Sequence, residues 1–456
     1  MTQQKIVILG TGPCGLGAAW RLQELKSDNF KIFEKLPHPG GLASSFIDEK
    51  GFTWDIGGHV QFSHYKYFDK IMDQLLKDEW VTHERESWVW IKERFVPYPF
   101  QNNIKFLSKE DMWQCLAGII DLYKGSSNKP TNFKEWMLAT FGPGISKMFL
   151  LPYNYKVWAY EPEKLSYRWV GERVSTPDLK RLAYNILFDN KDFSWGPNNT
   201  FRFPLKGGTG YIWKKLYSKI KKGASFGQEA TELNTQNKYV KFRNGHVEYY
   251  DYLISTIPLD LLILMSDLTD KSPSKKLMHS STHIFGIGLK GSPPKHLKTK
   301  CWIYFPEDSC PFYRATVFSN YSPYNVPKPN NFWSLMVEIS ESPDKVVKRS
   351  SLRQSVINGL LNTNLITSRN MIVDVWYHFE PYGYPTPSLQ RDDALKILRT
   401  LENLKIFSRG RFGGWKYEAS NQDHTFMQGV EVIDKILMNK KEVTLWYPDK
   451  INSLKK

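Results

Sequence analysis

Three glycines near the start of the chain, Gly10, Gly12 and Gly15, have the spacing G-x-G-x-x-G, which can serve to bind a diphosphate. The first glycine permits a tight turn, the second lets the backbone approach a pyrophosphate, and the third allows a helix to pack closely on a strand. The positive end of that helix attracts the anion. Because an ordinary structural turn can have the same pattern, the surrounding elements must decide its meaning.

The segments around these glycines have the order strand, turn, helix and strand. Residues 5–9 (KIVIL) and 30–33 are short apolar runs, and residues 16–25 between them have a helical pattern. This order is typical of the opening of a parallel βαβ unit. Glu34 follows the second strand, where its carboxylate can accept hydrogen bonds from a ribose hydroxyl. The sequence therefore predicts a dinucleotide site.

Composition narrows the class of ligand. The chain has 456 residues, enough for two or three domains, and its 62 basic and 46 acidic side chains leave a net charge of +16. That charge favours anionic partners. The lysines are scattered rather than grouped in one long block, so we expect no nucleic-acid stripe. Aromatic residues make up 15% of the chain and suit stacking on ring-shaped ligands as well as ordinary cores.

The cysteines and the apolar segments indicate the compartment. No Cys-x-x-Cys pair is present among Cys14, Cys115, Cys301 and Cys310, which favours reduced thiols without a disulfide framework. No secretory signal pattern precedes the first strand. The most apolar stretch, residues 253–265, is too short to span a bilayer. We expect a cytoplasmic protein with no membrane partner and no metal site; its oligomeric state is left open.

A second glycine pair follows Glu34 in HPGGLASS, as Gly40 and Gly41, before Leu42. This loop resembles the FAD-binding part of the amine-oxidase-like flavoproteins, where it passes along the diphosphate and ribityl chain. The resemblance implies FAD rather than a nicotinamide. The helical pattern of residues 422–437 fits the same plan, because a positive helix end near a flavin favours its anionic reduced form.

The rest of the chain changes pattern twice. Residues 106–192 are mainly helical, with turns at 125–130 and 142–144, and residues 239–249 alternate around an Asn-Gly pair as in a hairpin. Several apolar or alternating runs between 282 and 379 favour an antiparallel sheet. We predict an α/β multidomain fold in which a Rossmann-like FAD-binding domain accompanies an inserted helical domain and an antiparallel β-sheet domain. Their predicted bounds are 1–84, 206–268 and 401–456 for the FAD-binding domain, 105–205 for the helical domain with substrate flaps, and 85–104 and 269–400 for the sheet domain.

Longer motifs resemble those of the eukaryotic UDP-galactopyranose mutases and follow one consistent order along nearly the whole chain. They are GGHVQFSHYKYFD (57–69), YPFQNN (98–103), PYNYKVWA (152–159), GERVSTPDLK (171–180), WGPNNTFRFP (195–204), GGTGYIW (207–213), CWIYFPEDSCPFYRATVFSNYSPYN (301–325), GYPTP (383–387) and RGRFGGWKYEASNQDHTFMQGVE (409–431). Long motifs in one order are a more specific signal than a single short pattern.

The resemblance implies an isomerase that interconverts UDP-galactopyranose and UDP-galactofuranose. In this family N5 of reduced FAD displaces UDP and holds the sugar at C1 as a flavin-sugar adduct, after NADPH or NADH has reduced the flavin. Arg173 and Arg314 resemble the two arginines that hold the leaving diphosphate, a task suited to the planar guanidinium. Gly58 would leave room for backbone beside N5. His59 would position the loop against the flavin rather than shuttle a proton.

The remaining site residues are also implied by the resemblance. Tyrosines near the diphosphate and sugar would be Tyr304, Tyr384 and Tyr417. The other substrate-binding positions, mainly for uridine, would be Tyr98, Phe100, Gln101, Asn154, Trp158, Asn198 in a mobile flap, and Trp302. Flavin contacts would come from Leu42, Arg411, Asn421 and Gln422 in addition to the glycines.

Three residues depart from the family pattern, namely Gln61, Tyr155 and Tyr211, which leaves flap behaviour and sugar preference open. Other functions also remain open: a mutase for a related sugar such as UDP-arabinopyranose, a non-catalytic UDP-sugar-binding flavoprotein, or an FAD-dependent amine or porphyrinogen oxidase.

Overall fold

The computed structural model describes residues 4–123, 129–192 and 199–453. Its elements confirm a mixed α/β fold with several sheets. The strands are β1 Ile6–Leu9, β2 Phe30–Phe33, β3 Ser45–Ile47, β4 Thr53–Asp55, β5 Trp80–Glu84, β6 Ser87–Ile91, β7 Arg94–Pro97, β8 Thr200–Pro204, β9 Ala224–Ser225, β10 Ala230–Asn234, β11 Tyr239–Phe242, β12 Val247–Tyr249, β13 Tyr252–Ser255, β14 His279–Lys290, β15 Trp302–Tyr304, β16 Arg314–Val317, β17 Phe332–Glu341, β18 Ile372–Pro385 and β19 Ile406–Ser408.

The helices alternate with these strands in the first part of the chain and cluster in the middle. They are α1 Pro13–Glu24, α2 Lys66–Leu76, α3 Lys109–Leu122, α4 Phe133–Ile145, α5 Leu151–Trp158, α6 Leu179–Leu187, α7 Gly210–Tyr217, α8 Leu259–Met265, α9 Ser272–Lys276, α10 Arg349–Asn362, α11 Arg391–Ala394, α12 Ile397–Asn403, α13 Gln422–Met438 and α14 Pro448–Asn452. A π-helical turn, Ser146–Leu150, joins α4 to α5.

A five-stranded parallel sheet carries the glycine-rich turn. Its order is β19-β13-β1-β2-β9, with β1 paired in parallel to both β13 and β2. All four residues of β1 are buried, as expected for a strand covered on both faces. Helix α13 packs on α1 so closely that a side chain at Gly17 or Gly429 would overlap the backbone of the other helix. The predicted βαβ opening is confirmed.

A seven-stranded sheet forms the opposite wall of the molecule, in the order β18-β14-β17-β16-β15-β6-β7. Its long strands β14, β17 and β18 pair antiparallel, as the alternating sequence runs predicted. The sheet departs from the predicted antiparallel pattern at one junction, where β15 runs parallel to β6. The parallel neighbour comes from a distant part of the chain, residues 87–91, so no local sequence pattern could reveal its direction.

The middle of the chain, from α3 to α6, is helical as predicted, and the turn predicted at 142–144 corresponds to a kink inside α4. Gly142 has non-helical backbone there, with a φ of +71°. A side chain at Gly142 would overlap the carbonyl group of Gly118 on α3. The glycine therefore allows both the kink and the close packing of α4 on α3. The hairpin of β11 and β12 around Asn244-Gly245 is confirmed.

The bounds of the three domains stay a prediction, although the strand memberships of the two large sheets are compatible with them. In the described part of the chain, we find no helix whose length and hydropathy would suit a membrane crossing. All four cysteines are free thiols and buried.

Asp55 at the end of β4 is a buried carboxyl that joins β4 to the start of α7. It is 0% exposed and accepts hydrogen bonds from the hydroxyl of Ser45 and from the backbone N–H of Thr209, the latter at 3.2 Å. Burial raises its pKa to about 7, and these hydrogen bonds only partly offset that effect.

The pH dependence of stability tests this environment. The folded Asp55 binds a proton below about pH 7, and an unfolded Asp does so only below about pH 4. Between these values the folded state holds more protons, so the free energy of unfolding falls as the pH rises. Between pH 4.5 and 8, the free energy of unfolding of Asp55→Asn should fall by about 2–4 kcal/mol less than that of the wild type, as measured by urea unfolding.

The exposed Asp78→Asn variant is the control and should show the same pH dependence of the free energy of unfolding as the wild type. The same pH dependence in all three proteins would contradict a raised pKa for Asp55.

Candidate active site

One cavity of about 840 Å³ is lined by residues from the parallel sheet, the helical segment and the seven-stranded sheet. It brings together most of the residues singled out in the sequence. Those on its wall are Gly10, Gly12, Glu34, Gly41, Leu42, Gly58, His59, Tyr98, Gln101, Asn154, Trp158, Arg173, Trp302, Tyr304, Arg314, Tyr384, Arg411, Tyr417, Asn421 and Gln422. Asn198 lies outside the described residues.

Three of the predicted site residues, Gly15, Gly40 and Phe100, lie behind the wall rather than on it. A side chain at Gly15 would overlap the carbonyl oxygen of Gly10, so this glycine serves the close contact of α1 with the turn. Gly40 has a φ of +117° and shapes the second glycine loop. Phe100 is 0% exposed, and its ring lies 4.8 Å from that of Phe149, which lines the cavity. Its ring is enclosed by the helical core, and its expected contact with uridine stays a prediction.

Gly12 marks the place where a ligand must approach the backbone. It forms the N-cap of α1 with extended backbone and no side-chain cap. A Cβ at this position would lie 3.7 Å from the nearest protein atom, the carbonyl oxygen of Gly40, which is an ordinary contact. The packing of the protein therefore does not itself require glycine here. A diphosphate held against the amide groups of the helix end would require it.

Glu34 faces the same turn from the end of β2. Its carboxylate accepts hydrogen bonds from the backbone N–H and the hydroxyl of Thr11, at 2.7 and 2.8 Å, and from the backbone N–H of Leu36 at 2.9 Å. The side chain is buried but lies on the cavity wall. Since a carboxylate has about four lone-pair directions, it keeps capacity for a ribose hydroxyl.

A second helix end opens on the cavity at the start of α13. Asn421 is its N-cap and makes no side-chain cap. Gln422 is fixed by a 2.7 Å hydrogen bond from the indole N–H of Trp213. Arg411 lies nearby and donates to the carbonyl of Gly383 and the hydroxyl of Ser420, both at 3.0 Å. Two helix ends with uncapped amides at one cavity fit a dinucleotide with a diphosphate at α1 and an electron-rich ring at α13.

The loop that follows β4 carries Gly58 and His59 into the cavity. Burial and the nearby cation of Arg411 lower the pKa of His59 to about 4, so its imidazole is neutral at physiological pH. Its Nδ1 is buried and has no hydrogen-bond partner among the described residues. A neutral ring suits contact with a flat cofactor better than proton transfer.

Two arginines approach the cavity from different parts of the chain. Arg173 donates a 2.8 Å hydrogen bond to the carbonyl of Glu418, and its other terminal nitrogen is buried without a partner among the described residues. Arg314 on β16 donates to both oxygens of Glu338, at 2.9 and 2.8 Å. Each guanidinium is therefore oriented by the protein, and Arg173 retains a buried donor for an anion.

Three tyrosines surround these arginines. The rings of Tyr384 and Tyr417 lie 6.0 Å apart, and the guanidinium of Arg173 lies 5.8 Å from the ring centre of Tyr417. Burial raises the pKa of Tyr304 and Tyr384 above the usual value, although Arg314 partly opposes the effect. Their phenols therefore stay neutral and can donate hydrogen bonds to phosphate.

Residues of the π-helical turn and α5 form the wall expected for uridine. Asn154 donates to the carbonyl of Leu150 at 2.8 Å, and Gln101 donates to the carbonyl of Ser175 at 2.6 Å. The carbonyl oxygen of Gln101 and the indole N–H of Trp158 are buried without partners among the described residues. Such orphaned polar atoms indicate a polar ligand at this wall.

Sequence reasoning missed several residues of the cavity wall. They are Arg85, Phe149, Tyr153 and Glu338. The guanidinium of Arg85 lies 5.6 Å from the ring centre of Tyr98. Glu338 had a detectable signal, since it is an acidic residue inside the apolar run WSLMVEI. Phe149 and Tyr153 had no local signal; Phe149 lies in the π-helical turn and Tyr153 on α5 just after it, and the sequence pattern does not indicate this irregular turn.

The three departures from the family pattern lie in different surroundings. Gln61 lines the cavity, and both of its side-chain polar atoms are buried without partners among the described residues. The hydroxyl of Tyr211 donates to Glu79 at 3.2 Å, and that of Tyr155 donates to the carbonyl of Asp344 at 3.4 Å. Only Gln61 is therefore placed to act on a ligand directly.

Comparison with known proteins agrees with this geometry. Residues 8–75 match the model of the NAD(P)-binding Rossmann-like domain. A CLA-producing fatty acid isomerase from P. acnes is 13% identical, with a TM-score of 0.66 over 96% of this chain and 99% of that one. An oxidoreductase from Methanosarcina mazei is also 13% identical, with a TM-score of 0.63 over 96% of this chain and 100% of that one. These two likenesses show the fold alone.

A much closer likeness is to a crystal structure of reduced UDP-galactopyranose mutase. It is 48% identical and has a TM-score of 0.96, over 99% of this chain and 98% of that one. Identity at this level over nearly the full length of both chains shows that the chain belongs to the UDP-galactopyranose mutase family.

Proposed function

We propose that this protein is a flavin-dependent isomerase that interconverts UDP-galactopyranose and UDP-galactofuranose. The observation that carries the proposal is the convergence of Arg173, Arg314 and three tyrosines on the cavity where α1 and α13 begin. A leaving diphosphate would thus lie within the cavity that holds the cofactor. The eukaryotic type of the enzyme and its cytoplasmic location stay predictions.

FAD is the cofactor that the wall fits: Gly12 would hold its diphosphate, and Glu34 would accept a hydrogen bond from a ribose hydroxyl. When bound in its reduced form, the flavin supplies N5 as the nucleophile for C1 of the sugar. We propose NADPH or NADH as the reductant. The end of α13 would stabilise the negative charge of the reduced ring, and Arg411 would orient the neighbouring segment.

The chain's own contribution to ring exchange is to hold UDP while its bond to C1 is broken and remade. Negative charge builds on the diphosphate as that bond breaks. Arg173 and Arg314 would stabilise this charge, and both are held in place before the substrate arrives. The neutral phenols would add hydrogen bonds without adding charge that would retain the product.

The uridine wall would fix the other end of the substrate. Tyr98, Asn154 and Trp158 would meet the base and ribose, and Gln101 offers a buried oxygen that lacks a partner among the described residues. Binding energy from this distant part orients the reacting carbon. An amine or porphyrinogen oxidase would have no use for two diphosphate arginines, whereas a mutase for UDP-arabinopyranose or a non-catalytic UDP-sugar-binding protein would.

Ring exchange itself is the first test. FAD-loaded protein, reduced with dithionite under anaerobic conditions, is incubated with UDP-galactofuranose, and the nucleotide sugars are separated by chromatography. We expect UDP-galactopyranose to form without net consumption of reductant, and no conversion by the oxidised protein. UDP-arabinopyranose is assayed in parallel. If reduced protein bound UDP but left both sugars unchanged, the non-catalytic function would replace this proposal.

Loss of the diphosphate arginines is the second test. We expect Arg173→Ala and Arg314→Ala each to lower kcat/KM at least about 100-fold, as measured for single groups that stabilise transition-state charge. Arg168→Ala is the matched control, because its side chain is 75% exposed and lies close to Arg173 in sequence. Near-normal exchange after loss of both Arg173 and Arg314 would refute their role.

Substitutions at two glycines distinguish an effect on cofactor binding from an effect on folding. A methyl group at Gly12 has space in the protein but would meet a diphosphate, so Gly12→Ala should fold normally and weaken FAD binding at least about 10-fold. Gly15→Ala should instead destabilise the fold by about 2–3 kcal/mol, because its Cβ overlaps Gly10. Flavin absorbance and urea unfolding measure the two effects. Equal FAD content in wild type and Gly12→Ala would argue against a diphosphate at this turn.

A further inference from the structure

Glu338 is a buried acidic residue that the proposed ring exchange does not use. It lies on β17, directly across from Arg314 on β16. The residue is 2% exposed, yet it borders the cavity. A buried carboxylate is costly unless several donors satisfy it.

Three residues donate to this one carboxylate: Arg314 and Gly58 lie on the cavity wall, and Tyr313 directly precedes Arg314 in the chain. Arg314 donates through Nε and Nη2, at 2.9 and 2.8 Å. The hydroxyl of Tyr313 donates at 2.7 Å, and the backbone N–H of Gly58 donates at 3.0 Å. Burial and the adjacent carboxylate raise the pKa of Tyr313 well above its usual value, so its hydroxyl remains a donor.

The geometry of the guanidinium allows Arg314 to bind two anions at once. A guanidinium carries five N–H groups. Glu338 takes the Nε group and Nη2, and Nη2 lies 2.7 and 2.8 Å from the two carboxylate oxygens. Nη1 takes no part in the pair, so its N–H groups can bond a phosphate while Nε and Nη2 stay on Glu338. The carboxylate of Glu338 would then fix the orientation of the guanidinium plane relative to the phosphate.

The same carboxylate fixes the loop that carries His59. Gly57 has a φ of +91°, and a Cβ there would lie 3.4 Å from Oε2 of Glu338. A Cβ at Gly58 would lie 2.9 Å from the hydroxyl of Thr316 and 3.4 Å from the guanidinium carbon of Arg314. The loop therefore lies directly against the arginine, and Glu338 is hydrogen-bonded to both.

We propose that Glu338 is a positioning residue that aligns Arg314 for the leaving diphosphate, moderates the charge of Arg314, and ties the Gly57–Gly58 turn to that alignment. This inference rests on the proposed function, because it assigns the diphosphate to Arg314.

Loss of the charge of Glu338 and loss of its alignment of Arg314 should have different effects: the first changes the affinity for UDP, and the second changes kcat. The role of Glu338 can therefore be measured. Removal of the negative charge leaves Arg314 a stronger cation, so UDP should bind more tightly. Loss of the alignment should slow the step in which UDP leaves and returns, so kcat should fall. A residue that only stabilised the fold would lower both affinity and turnover, or neither.

The test uses FAD-loaded protein and measures the Kd of UDP by titration, kcat by ring exchange and thermal stability. We expect Glu338→Gln to bind UDP about 5-fold more tightly and to lose at least about 10-fold in kcat. Glu338→Asp keeps the charge but shortens the side chain, so UDP affinity should stay within about 2-fold while kcat falls. Tyr313→Phe removes one donor and keeps the charge, so it should behave as a milder form of Glu338→Asp.

Glu442→Gln is the matched control. Glu442 is 4% exposed and also accepts two hydrogen bonds from one arginine, Arg409, but neither residue lies on the cavity wall. We expect this variant to lose thermal stability with unchanged UDP affinity and kcat. The inference is overturned if Glu338→Gln weakens UDP binding, or if its affinity and kcat match those of Glu442→Gln.

A double-mutant cycle separates alignment of Arg314 from a general effect on the cavity. Once Arg314→Ala is present, Glu338→Gln should cause less than about 2-fold further loss of kcat, whereas it should keep its full effect beside Arg173→Ala. Equal effects in both backgrounds would contradict the inference. If the wild type bound UDP without exchanging the sugar ring, the proposed function would fail, and the UDP titrations of the same variants would still decide the charge effect.

Discussion

The diphosphates of the cofactor and the substrate must both be held in one cavity, and this demand for positive charge shapes the structure. In the proposed site this charge would come from the helix ends at Gly12 and Asn421, which have no side-chain caps. It would also come from the guanidinium groups of Arg173 and Arg314 on the cavity wall. The parallel sheet supplies the helix ends, and the helical segment and seven-stranded sheet supply the arginines. The three parts must therefore pack together for the site to exist.

Much of the cofactor half could be predicted from sequence, because its signals are local. Gly10, Gly12 and Gly15 lie within one turn, and the strand and helix that position them follow directly in the chain. The hairpin around Gly245 was predictable for the same reason. The substrate half was predicted through its resemblance to a family, since Arg173 precedes α6 and Arg314 lies far along the chain on β16.

What the sequence could not reveal depends on contacts between distant segments. Strands β15 and β6 are remote in sequence and pair in parallel, and no alternation within either segment encodes their relative direction. Gly142 resembles a turn residue locally, yet it is required by the neighbouring helix at Gly118. The hydrogen bonds that Glu338 accepts from Gly58, Tyr313 and Arg314 form only in the folded chain, so the sequence could not indicate them.

The unsatisfied nitrogen of Arg173 has a thermodynamic consequence for ligand selection. Its Nη1 has no partner among the described residues, so the folded chain leaves this donor available at the cavity wall. An arriving anion can complete a charge-assisted hydrogen bond there without displacing a protein partner. Neutral sugars gain less from the same donor than phosphates do. The folded chain is therefore arranged, before a ligand binds, to favour the diphosphate of a nucleotide sugar over its carbohydrate part.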